Sequence, residues 1–353
     1  MVKVGSIGIG GISRGVHIPG IMKSPDLELA AVCDRNPEAL KRAKDDYGID
    51  DAHCFTDYRD LIACPDIEAI DISTPNFYHY EIAKAAIDAR KPFCLEKPVT
   101  MTAAQADELK ELAEKHGVKN MVCFSYRFKT SARYMRHLVR TGIVGDVYHV
   151  YMQYLQAGAL PVSDSPLVWR YDKALAGTGA LGDLGCHAID LVSFVTGKKY
   201  EKFVAHADTY IHERRKLDGS GMGKVEVDDY SHFLGEMEGG TSVAFMITRM
   251  AYGRGNYQRV EVYGSRGGIV YSLDVTPGVD EIEVCLEPIG KESRVYTKIP
   301  VQNRFAADQM QAFADIIAGK GDGLSATIED GATVQHYLQA IEDSAKENRW
   351  INI

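Results

Sequence analysis

A glycine-rich turn between an apolar run and a helical pattern constrains the fold of this chain more than any other feature. Val4–Ile7 is predicted to be a strand, Gly8-Ile9-Gly10-Gly11-Ile12-Ser13 follows it, and residues 12–22 have helical periodicity. Glycines in such a turn let backbone N–H groups approach a phosphate at the helix N-terminus. Ser13 replaces the third glycine of the usual pattern, and its hydroxyl is a candidate helix cap. The turn therefore predicts a dinucleotide-binding β-α-β unit.

The end of the second predicted strand, Leu27–Cys33, indicates which dinucleotide is bound. Asp34 follows this strand, where a carboxylate accepts hydrogen bonds from ribose hydroxyls and repels a 2′-phosphate. Arg35 comes next, and an arginine here stacks on adenine, holds a 2′-phosphate or is solvated. We predict NAD as the cofactor, and Arg35 leaves NADP open as the alternative.

The spacing of strands and helices predicts an α/β protein of two domains. Strand and helix patterns alternate over residues 1–124, which is typical of a doubly wound parallel sheet, the Rossmann fold. Residues 125–353 contain long runs of strand without helices between them, which favours an open, mainly antiparallel sheet. We assign the two C-terminal helical patterns, 306–318 and 328–346, to this second α/β domain.

Charge and cysteine usage narrow the class of protein. The chain has 40 basic and 49 acidic residues, a balance that disfavours binding to a nucleic acid backbone. Apolar runs are too short for a membrane span, and no secretory leader is apparent, so we expect a cytoplasmic protein. The seven cysteines are odd in number and form no CxxC pair, so we expect reduced core thiols and no metal site.

Two further segments carry residue types suited to proton transfer. Lys97 follows the predicted strand Pro92–Leu95, at the end of a sheet where ligands bind, and can polarise a reacting oxygen. Asp183 and His187 lie four apart on a predicted helix, so they share one face. A histidine takes up a proton near neutral pH, and a nearby carboxylate orients it. From spacing alone, a purely structural pair is an equally good interpretation.

With these segments in place, the chain resembles the Gfo/Idh/MocA family, named for glucose–fructose oxidoreductase, inositol dehydrogenase and a rhizopine-catabolism protein. The resemblance extends over nearly the whole chain. The segments that carry it are Gly8–Ser13, Ser73-Thr74-Pro75-Asn76 with His79, Glu96-Lys97-Pro98, Tyr126-Arg127-Phe128, Trp169-Arg170 and Gly179-Ala180-Leu181-Gly182-Asp183-Leu184-Gly185-Cys186-His187.

The resemblance implies a role for each matching position. The implied catalytic residues are Lys97, Asp183 and His187. The implied cofactor-binding residues are Gly8, Gly10, Gly11, Ile12, Ser13, Asp34, Arg35, Thr74, Pro75, Asn76, His79, Glu96, Lys97, Arg127, Trp169 and Arg170. The implied substrate-binding residues are Lys97, Arg127, Asp183 and His187. Tyr154 is a further candidate from its place on a predicted strand, where a half-buried sheet residue is the alternative. For Arg127 and Arg170 a structural or oligomer ion pair is the alternative, and Tyr151, Tyr154 and Gln156 are expected on one face of a strand.

The resemblance also implies an activity. We expect an NAD(P)-dependent oxidoreductase that acts on a secondary hydroxyl or carbonyl group of a sugar, cyclitol or glycoside. One alternative is redox-assisted glycoside cleavage in which the NAD is retained, and another is a sensor of nucleotides or sugars without turnover. The expected partner is a small polyol or sugar, with neither nucleic acid nor membrane, and with a homo-oligomer (dimer or tetramer) formed through the C-terminal sheet.

Overall fold

The computed structural model describes residues 1–275, 278–286 and 295–353. They form two compact units, of which the first comprises Met1–Ser125 with Ala307–Gln335 and the second Tyr126–Ala306 with His336–Ile353. The observed division after residue 125 lies one residue from the predicted boundary. The C-terminal part differs from the prediction, since residues 307–335 belong to the first unit and not to the second. The Met310 side chain lies directly over Gly20, which explains this placement.

The first unit is built on a six-stranded sheet in which every pair of neighbouring strands is parallel. Its strands are β1 (Val2–Ile7), β2 (Leu27–Cys33), β3 (Cys54–Phe55), β4 (Ala69–Ile72), β5 (Phe93–Leu95) and β6 (Asn120–Val122). Their order is β3-β2-β1-β4-β5-β6. The order reverses between β1 and β4, and ligands bind at such a switch point beyond the carboxyl ends of the strands. The predicted Rossmann fold is confirmed.

Within the described residues, the helices of both units are α1 (Ile18–Lys23), α2 (Pro37–Tyr47), α3 (Tyr58–Ala63), α4 (His79–Asp88), α5 (Ala103–His116), α6 (Thr130–Arg140), α7 (Lys173–Ala176), α8 (Cys186–Thr196), α9 (Gln309–Ile317) and α10 (Ile328–Glu347). Local signals set the bounds of α2 and α5. Asn36 and Thr102 cap the helix starts by accepting backbone N–H bonds, and Gly48 and Gly117 end the helices in the left-handed conformation.

The second unit is built on a nine-stranded sheet, the predicted open and mainly antiparallel one. In this sheet β7 and β12 are the one parallel pair among the described strands. The strands are β7 (Val147–Leu155), β8 (Tyr200–Asp208), β9 (Glu213–Arg215), β10 (Met222–Lys224), β11 (Tyr230–Met237), β12 (Thr241–Thr248), β13 (Tyr257–Gly264), β14 (Gly267–Asp274), β15 (Val279–Leu286), β16 (Thr297–Ile299) and β17 (Ile351–Asn352), where β9 and β10 form a separate hairpin. This hairpin lies in a charged, glycine-rich stretch of the sequence.

The two faces of the nine-stranded sheet differ. Helices α6 and α8 cover one face, where Phe203, Phe245 and Tyr271 are fully buried. The opposite face exposes large apolar side chains on three neighbouring strands, among them Tyr151 on β7, Leu234 on β11 and Met246 on β12. The covered face positions α8, which carries His187.

Two predictions from composition can be compared with the described residues. No described helix has both the length and the apolar composition needed to cross a bilayer. All seven cysteines lie in the described ranges, and none of them forms a disulfide. Of these thiols, four are buried, as the prediction of core cysteines expects: Cys33, Cys94, Cys123 and Cys186.

Candidate active site

The glycine turn lies at the switch point of the parallel sheet. Gly8 follows β1 with a φ of 90°, and a Cβ there would lie 2.8 Å from the backbone nitrogen of Thr74, beyond β4. Gly8 is therefore required both by its conformation and by this close approach. A Cβ on Gly10 or Gly11 would meet no atom within 4 Å, so the space over these two residues is open. An open glycine turn followed by a helix start is the cradle that a pyrophosphate needs.

The helix after the turn differs from the continuous helix predicted over residues 12–22. Ser13–His17 form a π-helical turn, and α1 follows it. Ser13 makes no cap, which corrects the expectation for its hydroxyl. Its side chain is fully buried, and its Oγ lies 3.3 Å from Oγ of Ser6 on β1. Ser13 thus serves the close packing of helix on strand.

Asp34 bridges the glycine turn and the start of α2. Its Oδ2 accepts a hydrogen bond from Ile9 N–H at 2.8 Å, and its Oδ1 accepts one from Asn36 N–H at 2.8 Å. Each carboxylate oxygen has a further lone pair, so both can still accept a ribose hydroxyl. Arg35 is exposed, with its guanidinium 6.0 Å from the centre of the Tyr78 ring. The structure therefore places a carboxylate beside the turn, as predicted, and an exposed cation next to it on the surface.

The Thr74–Asn76 segment contributes a second polar edge at the switch point. Thr74 Oγ1 is buried and has no hydrogen-bond partner among the described residues. A bound dinucleotide, whose oxygens accept such bonds, would satisfy this hydroxyl. With the open cradle and Asp34, it shows that the residues present fit NAD.

His79 directs its side chain to the interior, and its place among the cofactor-binding residues stays a prediction. The ring is fully buried, with Nδ1 2.8 Å from the carbonyl oxygen of Pro98 and Nε2 2.9 Å from that of Thr74. Burial lowers the pKa of His79. The ring ties the segment after β4 to the segment after β5, so its role in the first unit is to position both.

Beneath the glycine turn, a buried histidine joins two carboxylates. His17 Nδ1 lies 2.7 Å from Asp71 Oδ1, and its Nε2 lies 3.1 Å from Glu96 Oε1. Asp71 also accepts hydrogen bonds from Ser6 Oγ at 2.7 Å and from Cys94 Sγ at 3.2 Å. Burial opposes the charge on His17, but the two carboxylates outweigh it and raise its pKa well above the usual value. Sequence reasoning missed this group, since nothing in the spacing of residues 17 and 71 relates them.

Glu96 and Lys97 lie at the carboxyl end of β5, as predicted. The Glu96 carboxylate is directed to the interior, where its Oε2 accepts a bond from Lys97 N–H at 3.2 Å. The Lys97–Pro98 peptide bond is cis. Lys97 is partly exposed, so its side chain has access to solvent and ligands. Through this hydrogen bond the Glu96 carboxylate positions the backbone at Lys97.

In the second unit, Asp183 and His187 lie on neighbouring turns of one helical segment. The predicted helix over 180–195 begins as a π-helical turn, Leu181–Gly185, and continues as α8. Such turns are frequent at functional sites. The Asp183 carboxylate is partly exposed, 3.9 Å from Arg170 Nε and 4.0 Å from Arg249 Nη1. Asp183 is therefore held between two guanidinium groups.

His187 is buried among tyrosines. Its ring packs edge-on against Tyr126 at 4.8 Å and lies 6.4 Å from the ring of Tyr154. The two tyrosine hydroxyls are 2.5 Å apart, and both hydrogen bond to the side chain of Asn256. Burial raises the pKa of Tyr154 well above its usual value, so its hydroxyl stays protonated and can donate. Tyr126 and Asn256 were not predicted, although Tyr126 begins the Tyr-Arg-Phe segment.

Tyr151 does not share a face with Tyr154, which corrects the expected grouping of Tyr151, Tyr154 and Gln156. Tyr154 is buried, and Gln156 Nε2 bonds to Asn256 Oδ1 at 2.7 Å beside it. Tyr151 is exposed on the opposite face of β7 and packs against Tyr263. The reason is the two-residue period of a strand, which separates positions three apart.

Arg127 forms the structural ion pair that was its alternative role. Its Nε lies 2.9 Å from Asp190 Oδ2, and its Nη2 lies 2.5 Å from Asp190 Oδ1. The guanidinium thus makes a bidentate ion pair with a carboxylate on α8. Both side chains are buried. The guanidinium thus serves a buried structural pair, and the binding role of Arg127 stays a prediction.

Trp169 and Arg170 lie on a short helical turn, Trp169–Tyr171, with the Arg170 guanidinium 4.4 Å from the centre of the Trp169 ring. Both residues are partly exposed. The Arg170 guanidinium therefore lies near both the Asp183 carboxylate and the Trp169 ring. Arg249, the second cation near Asp183, was not predicted because a lone arginine after a strand carries no sequence signal.

Comparison with known proteins agrees with this geometry. Residues 2–124 match the family model of an oxidoreductase family with an NAD-binding Rossmann fold, and residues 132–270 match the model of the GFO/IDH/MocA C-terminal domain. A levoglucosan dehydrogenase of Pseudarthrobacter phenanthrenivorans is 29% identical, covering 91% of this chain and 88% of its own. An inositol 2-dehydrogenase of Rhizobium meliloti is 25% identical, covering 100% and 99%.

Among solved structures, a levoglucosan dehydrogenase in complex with NADH and L-sorbose is similar over the whole chain. It superposes with a TM-score of 0.89 at 27% identity, covering 100% of this chain and 98% of its own.

Proposed function

Because the chain belongs to the Gfo/Idh/MocA family of NAD-binding oxidoreductases, we propose that it is a dehydrogenase or reductase acting on a secondary hydroxyl or carbonyl group of a sugar, cyclitol or glycoside. The observation that carries the proposal is the set of proton-handling groups on an intact dinucleotide-binding fold. Lys97 ends a strand of the first unit, and Asp183 and His187 share a helical segment of the second. The named relatives, which include a levoglucosan dehydrogenase and an inositol 2-dehydrogenase, support the substrate class.

The first unit supplies the groups that would hold NAD. The open backbone at Gly10 and Gly11 would receive the pyrophosphate, Asp34 the ribose hydroxyls, and Thr74 Oγ1 a further oxygen. When bound, NAD accepts the hydride of the reacting carbon or returns it. The carboxylate of Asp34 favours NAD over NADP, because a 2′-phosphate would bring a second negative charge to it.

The remaining chemistry is the transfer of one proton. When a secondary alcohol is oxidised, its hydroxyl proton must leave as the carbonyl forms. In this proposal His187 takes that proton, and Lys97 stabilises the negative charge that develops on the oxygen. Asp183, held by Arg170 and Arg249, orients the histidine or a second substrate hydroxyl. Reduction of a ketone runs the same steps in reverse.

A substrate panel tests the proposal. Inositols, aldoses and glycosides are assayed with NAD and with NADP separately, and the absorbance of the reduced cofactor is followed. Net NADH formation with at least one polyol is the expected result. Cleavage of a glycoside without net NADH would identify the redox-assisted alternative, and NAD binding without turnover of any compound would support a sensor.

We also propose that the chain forms a homo-oligomer through the open face of its nine-stranded sheet. Leu234, Ala244 and Tyr151 form one row across β11, β12 and β7, and Met246 lies in the next row. Exposed apolar patches of this kind mark interaction sites. Light scattering after size exclusion should give a dimer or tetramer, and Leu234→Glu should shift it toward monomer. Val162→Glu, at an exposed apolar residue outside the sheet, is the matched control.

A further inference from the structure

The helical segment that carries Asp183 and His187 begins against a single residue, Asp228, which precedes β11. Three consecutive N–H groups at the segment's start are bonded to it. Asp228 Oδ1 accepts from Gly179 at 2.6 Å, its backbone oxygen accepts from Ala180 at 2.9 Å, and its Oδ2 accepts from Leu181 at 2.8 Å. The first N–H groups of a helix have no partner within the helix, and a carboxylate is favoured at this end. Asp228 therefore caps the segment from a distant part of the chain.

Gly179 shows how close this contact is. A Cβ on Gly179 would overlap the backbone oxygen of Asp228 and lie 2.8 Å from Arg249 Nη2. Burial raises the pKa of Asp228, and the N–H bonds from Leu181 and Gly179 counteract that shift. A carboxylate at this position is thus matched to the backbone N–H groups of the helix start, with the Arg249 guanidinium beside it.

Arg249 extends the contact from Asp228 to Asp183. Its side chain is buried, with Nη2 donating to the Asp228 backbone oxygen at 3.2 Å. Its Nη1 lies 4.0 Å from Asp183 Oδ2, and its guanidinium lies 5.1 Å from the centre of the Tyr171 ring. Arg249 therefore bonds to the residue that caps the helix start and also lies next to the Asp183 carboxylate.

We propose that Asp228 is a positioning residue for the reaction, which fixes the start of the helical segment so that Asp183 and His187 are held in working geometry, with Arg249 transmitting that position to Asp183. The inference rests on the proposed function, because it assigns a purpose to groups whose catalytic role is itself proposed. Asp228 acts through these residues and does not contact the reacting atoms.

The neighbouring residue offers a matched control. Asp229 is also buried and also accepts two backbone N–H bonds, from Tyr210 and Ile211, but both go to its Oδ2 at 2.9 Å. Asp229→Asn can keep both bonds through one amide oxygen. Asp228→Asn cannot, because its two bonds use different oxygens and the new NH2 group would face an N–H donor. Asp229→Asn should therefore leave the backbone that it contacts unaffected, whereas Asp228→Asn should disturb the start of the helical segment.

The first measurement does not depend on activity. Amide hydrogen exchange over residues 179–187 is compared in the two variants with NAD present. Asp228→Asn should speed exchange at the start of the segment about 10-fold or more, since its opening becomes less costly. Asp229→Asn should leave it unchanged. Equal exchange in wild type and Asp228→Asn would overturn the proposal, whatever the reaction is.

The second measurement is kinetic, with levoglucosan and myo-inositol as the alcohols. Asp228→Asn should lower kcat about 10- to 100-fold, the effect expected of small displacements of reacting groups, and leave the affinity for NAD unchanged. The loss should be smaller in an Asp183→Asn background, because one of the two residues through which Asp228 acts is already impaired. Independent, multiplying losses would contradict a positioning role.

If Asp228→Asn does not fold, Arg249→Lys decides the question. Lysine keeps the charge but lacks the fork that joins Asp228 to Asp183, so kcat should fall about 10-fold with the fold retained. Full kcat in this variant would overturn the inference. Should Asp183→Asn and His187→Gln turn over normally, the proposed catalytic roles fail, whereas the exchange result still reports on Asp228.

Discussion

His17 Nδ1 lies 2.7 Å from Asp71 Oδ1, and neither side chain has any contact with solvent. The other ring nitrogen meets Glu96, whose backbone continues directly into Lys97. A buried charge is tolerated only where it is paired and hydrogen bonded. The protonated imidazole therefore balances two carboxylates under the glycine turn, and it supports the strand end that carries Lys97.

The raised pKa of His17 predicts a pH-dependent stability. In the folded state the ring holds its proton above the unfolded value of 6.5, and Asp71, Glu96 and Cys123 are the titratable groups that act on it. This contribution is complete below about pH 6.5 and is lost as pH rises through the folded pKa, by up to about 1.4 kcal/mol per pH unit. The free energy of unfolding, measured by denaturant titration at about pH 6, 7.5 and 9, should fall accordingly.

His17→Gln should remove that slope, and by leaving buried carboxylates uncompensated it should cost about 3–5 kcal/mol at low pH. His116→Gln, at the end of α5, is the control and should preserve the slope. A wild-type stability that stays constant from pH 6.5 upward would contradict a charged His17.

Removing one partner of the Arg127–Asp190 ion pair should strongly lower the free energy of unfolding, and replacing both partners should restore most of it. Arg127→Met leaves the Asp190 carboxylate buried without its guanidinium and should cost about 3–5 kcal/mol in chemical denaturation. The double variant Arg127→Met with Asp190→Leu should recover most of this, because an apolar pair needs no charge compensation. If the double variant is as unstable as the single one, the pair is not the cause.

We expect the Asp34 carboxylate to set the preference for NAD over NADP. Asp34→Asn keeps a hydrogen-bond acceptor for the glycine turn but removes the charge that repels a 2′-phosphate. The ratio of kcat/KM with NAD to that with NADP should fall about 10-fold, equivalent to about 1.4 kcal/mol. Asp57→Asn is the control, since Asp57 caps α3 in the same unit without touching the glycine turn. An unchanged ratio would assign the preference to another residue.

We expect replacement of Lys97 to reduce turnover without weakening cofactor binding. Lys97→Met should lower kcat about 100-fold or more, the low end for removal of a proton-handling group. NADH binding, followed by fluorescence titration, should persist because the cradle residues are untouched. Lys115→Met, at an exposed position of α5, should behave as wild type. Near-normal turnover of Lys97→Met would refute the role proposed for this lysine.

Elements with strong local signals could be predicted from the sequence. Helix α2 begins at Pro37 after its Asn36 cap and ends at Gly48, and these residues define it without reference to the rest of the fold. The hairpin of β9 and β10 was missed, because its strands of three residues lie in a charged, glycine-rich stretch. The π-helical turns at Ser13–His17 and Leu181–Gly185 were missed as well, since they keep helical periodicity.

The site divides in the same way. The glycine turn, Asp34, Lys97 and the Asp183–His187 spacing were all predicted from residues near one another in the chain. The interior partners of Ser13, His79 and Arg127 were not predicted, because these contacts depend on which elements pack together.

The sequence by itself determined the two kinds of sheet, the class of cofactor and the positions at which we propose proton-handling residues, because these depend on periodicity and on short motifs. Only the tertiary structure decided which polar groups pair in the interior: His17 with Asp71, Arg127 with Asp190, and Asp228 with the start of the Asp183 helix. Buried polar groups must find partners, and the partner is set by which strands and helices become neighbours in space. That choice leaves no trace in local sequence spacing.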